Sequence, residues 1–228
     1  MTRPMPVLTI SESFWPARFA ILLIVFLQIF LNERVTAGPN WLLPTLEVAL
    51  LIPLTVVRTT LVRRPGDSQV QRWLPSHGPA RVLAFGLIGL LNIANLISLL
   101  LLVQSLLNGS KATGKLLLLS ALNIWFTNVI VYALWYWELD RGGPIRRRIG
   151  TEREPDLLFP QMSAPAGPGL WRPAFMDYLF VSFTNATAFS PTDTLPLTRS
   201  VKLLMMLQSG VSLLTIALVA SRAVNILG

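Results

Sequence analysis

Six oxygen-bearing side chains recur within an otherwise apolar stretch near the C-terminus. They are Thr184, Asn185, Thr187, Ser190, Thr192 and Asp193. Hydroxyl, amide and carboxylate oxygens can replace part of the hydration shell of a cation, so this set could bind an ion or line a polar path. Two other interpretations stay open. Such groups commonly join membrane helices, and Ser190-Pro191-Thr192-Asp193 is typical of a capped helix start.

Five more polar residues lie inside other apolar runs: Glu47, Asn92, Asn95, Asn123 and Asn128. An acid within a membrane run costs ~3 kcal/mol at mid-helix and normally faces the bundle interior or water. Glu47 could therefore handle a proton or a cation, or it could bond one of the four asparagines. For the asparagines themselves, hydrogen bonding between helices is the favoured interpretation.

The residues needed for most enzyme chemistry are missing from the sequence. It has no cysteine and a single histidine, His77. A thiolate nucleophile, a cysteine or histidine metal site and a histidine-based triad therefore lack their components. We predict that the protein is not an enzyme and has no catalytic residue, cofactor or metal site.

The composition indicates a membrane protein. Hydrophobic residues make up 53% of the 228 residues and charged residues only 13%, against about 25% charged in soluble domains. The net charge is +8, but the basic residues flank apolar runs, which is the pattern of membrane topology rather than of nucleic-acid binding. The lipid bilayer is thus the expected partner, and nucleic acid is not.

Apolar runs divide the chain into its expected elements. Five runs are long enough to cross as helices: 14–31, 41–57, 82–107, 116–137 and 201–227. A sixth, 174–190, is shorter and more polar, and would span only about 26 Å as a helix. We predict an all-α polytopic bundle of six helical segments, comprising five clear spans plus one short polar span or re-entrant helix. Its regions are a four-helix membrane part (1–137), a basic Pro/Gly-rich cytoplasmic loop (138–173) and a C-terminal module (174–228).

The loop charges predict the orientation of the bundle. Twelve Arg and Lys residues fall in loops on the side of the N-terminus and three on the other side, so the N-terminus is expected in the cytoplasm. Whether 174–190 crosses or re-enters is not decided by its length. We expect six crossings, since Arg222 near the C-terminus then lies inside, whereas Arg199 and Lys202 favour re-entry and five crossings.

The C-terminal module resembles the pore-helix, loop and inner-helix module of two-transmembrane potassium channels. The resemblance is carried by Ser182-Phe183-Thr184, Thr187, Asp193, Pro196 and the apolar run 201–227. The filter positions are degenerate, because Ala188-Phe189-Ser190-Pro191-Thr192 stands where the channels have a glycine-containing sequence. The resemblance implies an ion-conducting or ion-binding module, a monovalent cation as ligand and a homo-oligomer around a shared axis.

The whole chain also resembles a family of predicted bacterial inner-membrane proteins of unknown function. The residues concerned are 131–140, Leu158-Phe159-Pro160 and 177–196. This resemblance implies a multi-pass protein of the bacterial inner (plasma) membrane. The expected function is that of an integral membrane protein with a channel-like module, and the alternative is a non-conducting scaffold or partner-binding protein.

Overall fold

A computed structural model shows how the apolar runs fold. It describes residues 14–29, 41, 44–49, 51–52, 55, 78–108, 114–149, 153–163, 171–190 and 193–227. The described residues are mostly helical, which confirms the all-α class. The α-helices are α1 (Trp15–Ile29), α2 (Pro79–Leu107), α3 (Gly114–Leu139), α4 (Pro144–Ile149), α5 (Phe175–Ala188) and α6 (Arg199–Leu227).

Short elements complete the described chain. Residues 44–49 and 51–52 are also helical, and two 3-10 turns cover Asp140–Gly142 and Pro160–Met162. Strands β1 (Leu157–Leu158) and β2 (Leu195–Pro196) form an antiparallel pair. Every apolar run is therefore mainly helical in its described part. The helix start at Ser190 is not observed, because α6 begins only at Arg199.

Three helices are long and apolar enough to cross a membrane, in the part of the chain that the structure describes: Ala80–Leu107, Gly114–Gly142 and Arg199–Ser221. Helix α1 is a shorter apolar helix of 15 residues. Helix α5 has 14 residues, or about 21 Å, which is less than the ~30 Å of a hydrocarbon core. Two of the expected spans, 14–31 and 41–57, lie partly outside the described residues.

Helix α3 lies at the centre of the bundle. In its most apolar stretch 61% of the residues are buried inside the protein, compared with 44% for α2 and 22% for α6. It packs against α1, α2, α5 and α6. A helix that is apolar on all sides is expected to be buried. Helix α3 is the most buried of the three long helices because four other helices pack against it.

The first residues of the surrounding helices gather where α3 ends, and we call this end of the bundle the Asp140 end. Phe14, before α1, meets Trp137 edge-on at 6.0 Å between ring centroids. Arg81 of α2 donates to the carbonyl of Gly142 at 3.1 Å. Phe175 of α5 meets Trp137 at 5.8 Å. Helices α1, α2 and α5 therefore run antiparallel to α3.

The strand pair brings the chain back to the Asp140 end after α5. Leu157 pairs with Pro196 and Leu158 with Leu195, and the N–H of Leu197 donates to the carbonyl of Asp156. The backbone N–H groups of Asp156 and Leu157 donate to Asp140 Oδ1, which places β1 at this end. Because β2 pairs with β1 and directly precedes α6, α6 also starts at the Asp140 end. The chain thus leaves this end at the start of α5 and is back at it before α6 begins, so α5 does not join the two ends of the bundle as six crossings require.

Candidate functional site

The structure divides the six predicted pore residues between the interior and the surface. Thr184 and Asn185 are buried, whereas Thr187, Ser190 and Asp193 are exposed. Thr192 lies outside the described residues. In a single chain these side chains therefore do not line one common site, and the interior and exposed groups have different roles.

Asn185 is held inside the protein by a network of buried polar groups. Its Nδ2 donates to the carbonyl of Met205 at 3.1 Å and to Oε1 of Gln208 at 2.9 Å. Its side chain is 2% exposed. The residues connected in this way, which we call the Gln208 network, are Asn128, Tyr136, Ser182, Asn185, Gln208, Ser209 and Ser212. Asn128 joins it through its Nδ2, which donates to the carbonyl of Gln208 at 3.4 Å.

Gln208 uses both ends of its amide at the centre of this network. Its Oε1 also accepts from the Tyr136 hydroxyl at 2.6 Å. Its Nε2 donates to the carbonyl of Ser182 at 2.9 Å and to Ser182 Oγ at 2.7 Å. Ser182 Oγ in turn donates to the carbonyl of Val129 at 2.6 Å. One amide thus ties α6 to both α3 and α5.

A second contact between α3 and α6 lies close to Gln208. Asn128 Nδ2 donates to Ser212 Oγ at 3.0 Å. Because water is missing from a hydrocarbon core, polar groups there must satisfy one another within the protein. The Gln208 network meets this requirement except at Asn128 Oδ1, which is buried without a hydrogen-bond partner among the described residues. Its bonds fix how deep α5 lies against its two neighbours.

The two threonines of α5 bond to their own helix. Thr184 Oγ1 donates to the carbonyls of Phe180 and Val181, and Thr187 Oγ1 donates to the carbonyl of Phe183. Hydroxyls of this kind commonly bond back to the preceding turn. Neither threonine reaches another element through these bonds, and Thr187 stays on the surface of the single chain.

Helix α5 reaches deep into the bundle before the chain returns. Phe175 contacts Trp137 of α3, and Phe183 contacts Trp125 at 5.9 Å between centroids. The twelve residues from 125 to 137 correspond to about 18 Å along α3. Six residues, 189–194, separate the end of α5 from β2, and an extended chain of that length covers about 20 Å, enough to return.

The turn after α5 has an unusual backbone. Phe189 follows the helix with φ 54°, in the left-handed region, where glycine is the usual residue at a helix end. Its side chain is 45% exposed, and Ser190 beside it is exposed as well. Residues 189, 190, 193 and 194 are not helical, so irregular backbone begins where α5 ends within the bundle.

Asp140 organises the opposite end of α5. Its Oδ2 accepts from the Tyr178 hydroxyl at 2.6 Å, and its Oδ1 accepts from the backbone N–H groups of Asp156 and Leu157 at 2.8 and 3.3 Å. Its side chain is 0% exposed. One carboxylate therefore joins the end of α3, the start of α5 and strand β1.

Arg147 packs beside this carboxylate, and its guanidinium group makes structural contacts. Its guanidinium donates to the carbonyls of Trp137 and Asp140, and it lies over the ring of Tyr178 at 5.2 Å. Arg172 donates to the carbonyl of Arg147 at 2.7 Å. The arginines of the 138–173 region are thus partly structural, and Arg147, only 2% exposed, is unsuited to binding a lipid headgroup.

Glu47 has a different partner from the asparagines considered for it. Its Oε1 accepts from Gln28 Nε2 on α1 at 2.7 Å. Asn123 instead donates to the carbonyl of Leu27 at 2.6 Å. Asn95 is buried, and Asn92 is half-buried. Asn123 and Asn128 do join helices, as the sequence predicts.

Several residues that make these buried hydrogen bonds were not predicted from the sequence. Gln28 and Gln208 are single amides inside apolar runs, and Tyr136 and Tyr178 read as ordinary aromatics. The signal for both glutamines is the high cost of burying an unpaired amide, which demands a partner on another helix.

No match was found in comparisons with protein families, curated proteins or solved structures. Any function must therefore be inferred from the geometry of this chain.

Proposed function

We propose that the chain is an integral membrane protein whose C-terminal module re-enters the membrane and lines a path for monovalent cations in a homo-oligomer. The observation that carries the proposal is the return of the chain to the Asp140 end after α5. A half-length helix followed by an irregular return is the arrangement that the resemblance to channel modules implies. Here it replaces the sixth crossing.

The basic residues support this arrangement and its orientation. With α5 re-entrant, Arg199 and Lys202 join the N-terminal side, which then has fourteen loop residues against Arg34, Lys111, Lys115 and Arg222. The asymmetry exceeds the one that six crossings give. By the positive-inside rule the Asp140 end faces the cytoplasm, and the inner membrane of a bacterium is the proposed location.

The physics of the bilayer supplies the reason for an oligomer. Irregular backbone at membrane depth is tolerated only where it is buried in protein or lines a water-filled cavity. In the described part of the return Thr194 is buried, but Ser190 and Asp193 are exposed and meet neither condition in a single chain. Further copies around an axis would enclose it, and Thr187, Ser190 and Asp193 would then face water and passing cations.

The buried residues have a supporting role in this proposal. Asn185 and Thr184 hold the re-entrant helix rather than contact the ion, because their polar atoms are already bonded within the chain. The absence of glycine from the filter positions argues against a ring of carbonyls that strips the ion of water. We therefore propose passage of hydrated cations with weak selectivity.

Ion flux into liposomes tests conduction directly. Purified protein is expected to pass potassium and sodium above empty liposomes, and Asp193→Ala to lower that flux severalfold, because it removes a carboxylate that concentrates cations at the cytoplasmic mouth. The matched control is Glu154→Ala, an exposed acid of the same end, which should leave flux unchanged. Flux no higher than in empty liposomes, or a monomer by cryo-electron microscopy, contradicts the proposal.

Single cysteines test re-entry, since the sequence has none of its own. Ala174→Cys, Ser200→Cys and Lys115→Cys each place a thiol at an exposed position. A maleimide that cannot cross membranes should label the first two from the cytoplasmic side and the third from the other side. Labelling of Ala174→Cys and Ser200→Cys from opposite sides would mean that the segment crosses.

A non-conducting scaffold is the second candidate. The exposed ring of Phe189 favours it, because an apolar side chain at the turn of the re-entrant segment suits contact with a partner better than contact with an ion. In that case the module keeps its re-entrant shape, the cysteine pattern is unchanged, and flux stays at the level of empty liposomes.

A further inference from the structure

A second polar site lies on the other side of the bundle, between α1 and the helical residues 44–49. Glu47 is 0% exposed and Gln28 is 6% exposed. Gln28 Nε2 donates to Glu47 Oε1 at 2.7 Å. Asn123 of α3 donates to the carbonyl of Leu27, so this turn of α1 is tied to the central helix next to the pair.

The pair lies well inside the bundle. Gln28 is 13 residues from the start of α1, or about 20 Å from the Asp140 end. Asn123 is nine residues from the start of α3, or about 14 Å from the opposite end. Both distances place Glu47 within the hydrocarbon region of a membrane about 30 Å thick.

The charged residues of α1, α2 and α3 lie at other depths than Glu47. They are Arg18 on α1, Arg81 on α2, and Lys115 and Glu138 on α3, and each is within a turn or so of a helix end. Among the described residues, none of these side chains is bonded to Glu47. With respect to the described residues, an ionised carboxylate at this depth would therefore be a buried charge without a counter-charge, which costs several kcal/mol.

The count of donors and acceptors points to the same conclusion. Two oxygens of the pair, Glu47 Oε2 and Gln28 Oε1, are buried and have no hydrogen-bond partner among the described residues. Both are acceptors while the carboxyl group is ionised. A proton on Oε2 would turn one of them into a donor for the other, and the acid and the amide would then form a cyclic pair with two parallel hydrogen bonds.

We propose that Glu47 is a proton-binding site within the membrane, held as a neutral carboxylic acid by Gln28. The ligand is a proton from water: an O–H bond forms at Oε2 on binding and breaks on release. This inference does not rest on the proposed function, since it concerns other helices and another site. Cation passage through the module could fail while Glu47 still binds its proton.

Infrared spectroscopy of the protein in lipid bilayers tests the proposal, because a protonated carboxyl group has a carbonyl stretch distinct from that of a carboxylate. At neutral pH we expect an acid band that disappears in Glu47→Gln and persists in the control Glu154→Gln. The band should shift to higher frequency in Gln28→Leu, which removes the hydrogen bonds of the pair. Raising the pH should convert the wild-type band to carboxylate.

Thermal unfolding gives a second measurement. Ionising Glu47 leaves an unpaired buried charge, so the wild type is expected to lose stability as the pH rises, whereas Glu47→Gln keeps both hydrogen bonds as an amide pair and should not. If Glu47→Gln fails to fold, the wild-type band and its shift in Gln28→Leu carry the test. The absence of a Glu47 acid band at neutral pH overturns the proposal, as does stabilisation of the wild type by sodium but not by choline.

Discussion

Asp140→Ala is expected to lower the free energy of unfolding by about 4 kcal/mol. Three donors lose a charged acceptor, namely the Tyr178 hydroxyl and the N–H groups of Asp156 and Leu157. A hydrogen bond to a charged group contributes about 1.5–3 kcal/mol, and donors left buried without a partner add to the loss. Unfolding in detergent, followed by tryptophan fluorescence across a denaturant series, measures the difference.

The matched control for this variant is Asp193→Ala, which removes an exposed acid from the return that leads into β2. Its free energy of unfolding should stay within about 0.5 kcal/mol of the wild type. The two aspartates thus separate stability from conduction, because only Asp193 is proposed to face the ion. Equal midpoints for Asp140→Ala and the wild type would mean that the carboxylate does not hold β1 in place.

Loss of Asp140 should also loosen the return of the chain. The carboxylate fixes β1, and β1 pairs with β2 directly before α6. Without it, the strand pair would depend on backbone bonds between two residues on each side, which is far below the length of an independently stable hairpin. In Asp140→Ala, a cysteine at Ser200 should therefore react faster with maleimide than in the parent protein.

The helices of this fold follow from the sequence because a membrane restricts the possibilities. In hydrocarbon the backbone N–H and C=O groups must find hydrogen-bond partners within the protein, so an apolar run of about 20 residues is expected to form a helix. Helices α2, α3 and α6 begin within three residues of their predicted runs. The course of 174–190 depends instead on the pairing of Leu157 and Leu158 with Pro196 and Leu195. This contact joins residues far apart in sequence, and a local sequence pattern does not predict it.

The candidate site was only partly predictable for a related reason. The residue types at 184–193 indicate polar chemistry, but which of them turn inward depends on Gln208, and averaging hydropathy over α6 conceals one amide among apolar neighbours. Once Gln208 is placed at the interface, Asn185 must face it to satisfy the buried groups. Thr187, two residues further along and therefore about 200° round the helix, is then directed to the surface.

Gln208→Leu is expected to lower the free energy of unfolding by about 3 kcal/mol. Gln208 makes four side-chain hydrogen bonds, to Tyr136, Asn185 and twice to Ser182. Hydrogen bonds between membrane helices average ~0.6 kcal/mol each, and the Tyr136 hydroxyl and the second bond of Asn185 are left without their acceptor. Leucine fills most of the volume, so the loss measures the bonds more than a cavity.

Gln104→Leu is the control, since Gln104 is an exposed amide on α2. It makes the same chemical change on a surface that faces lipid, and it should leave stability unchanged or raise it. A loss for Gln208→Leu but not for Gln104→Leu assigns the effect to the buried network. A Gln208→Leu variant as stable as the wild type would mean that α5 is held by apolar packing against α3 alone.

The same substitution links the network to the proposed path. Because Gln208 fixes the depth of α5 through Ser182 and Asn185, its loss should let the re-entrant helix shift and should change flux even at temperatures where the variant stays folded. Asp193→Ala is expected to change flux without a change in stability, so the two variants together distinguish a residue that meets the ion from one that positions the helix. Normal flux in a folded but destabilised Gln208→Leu variant would mean that the ion path does not depend on the position of α5.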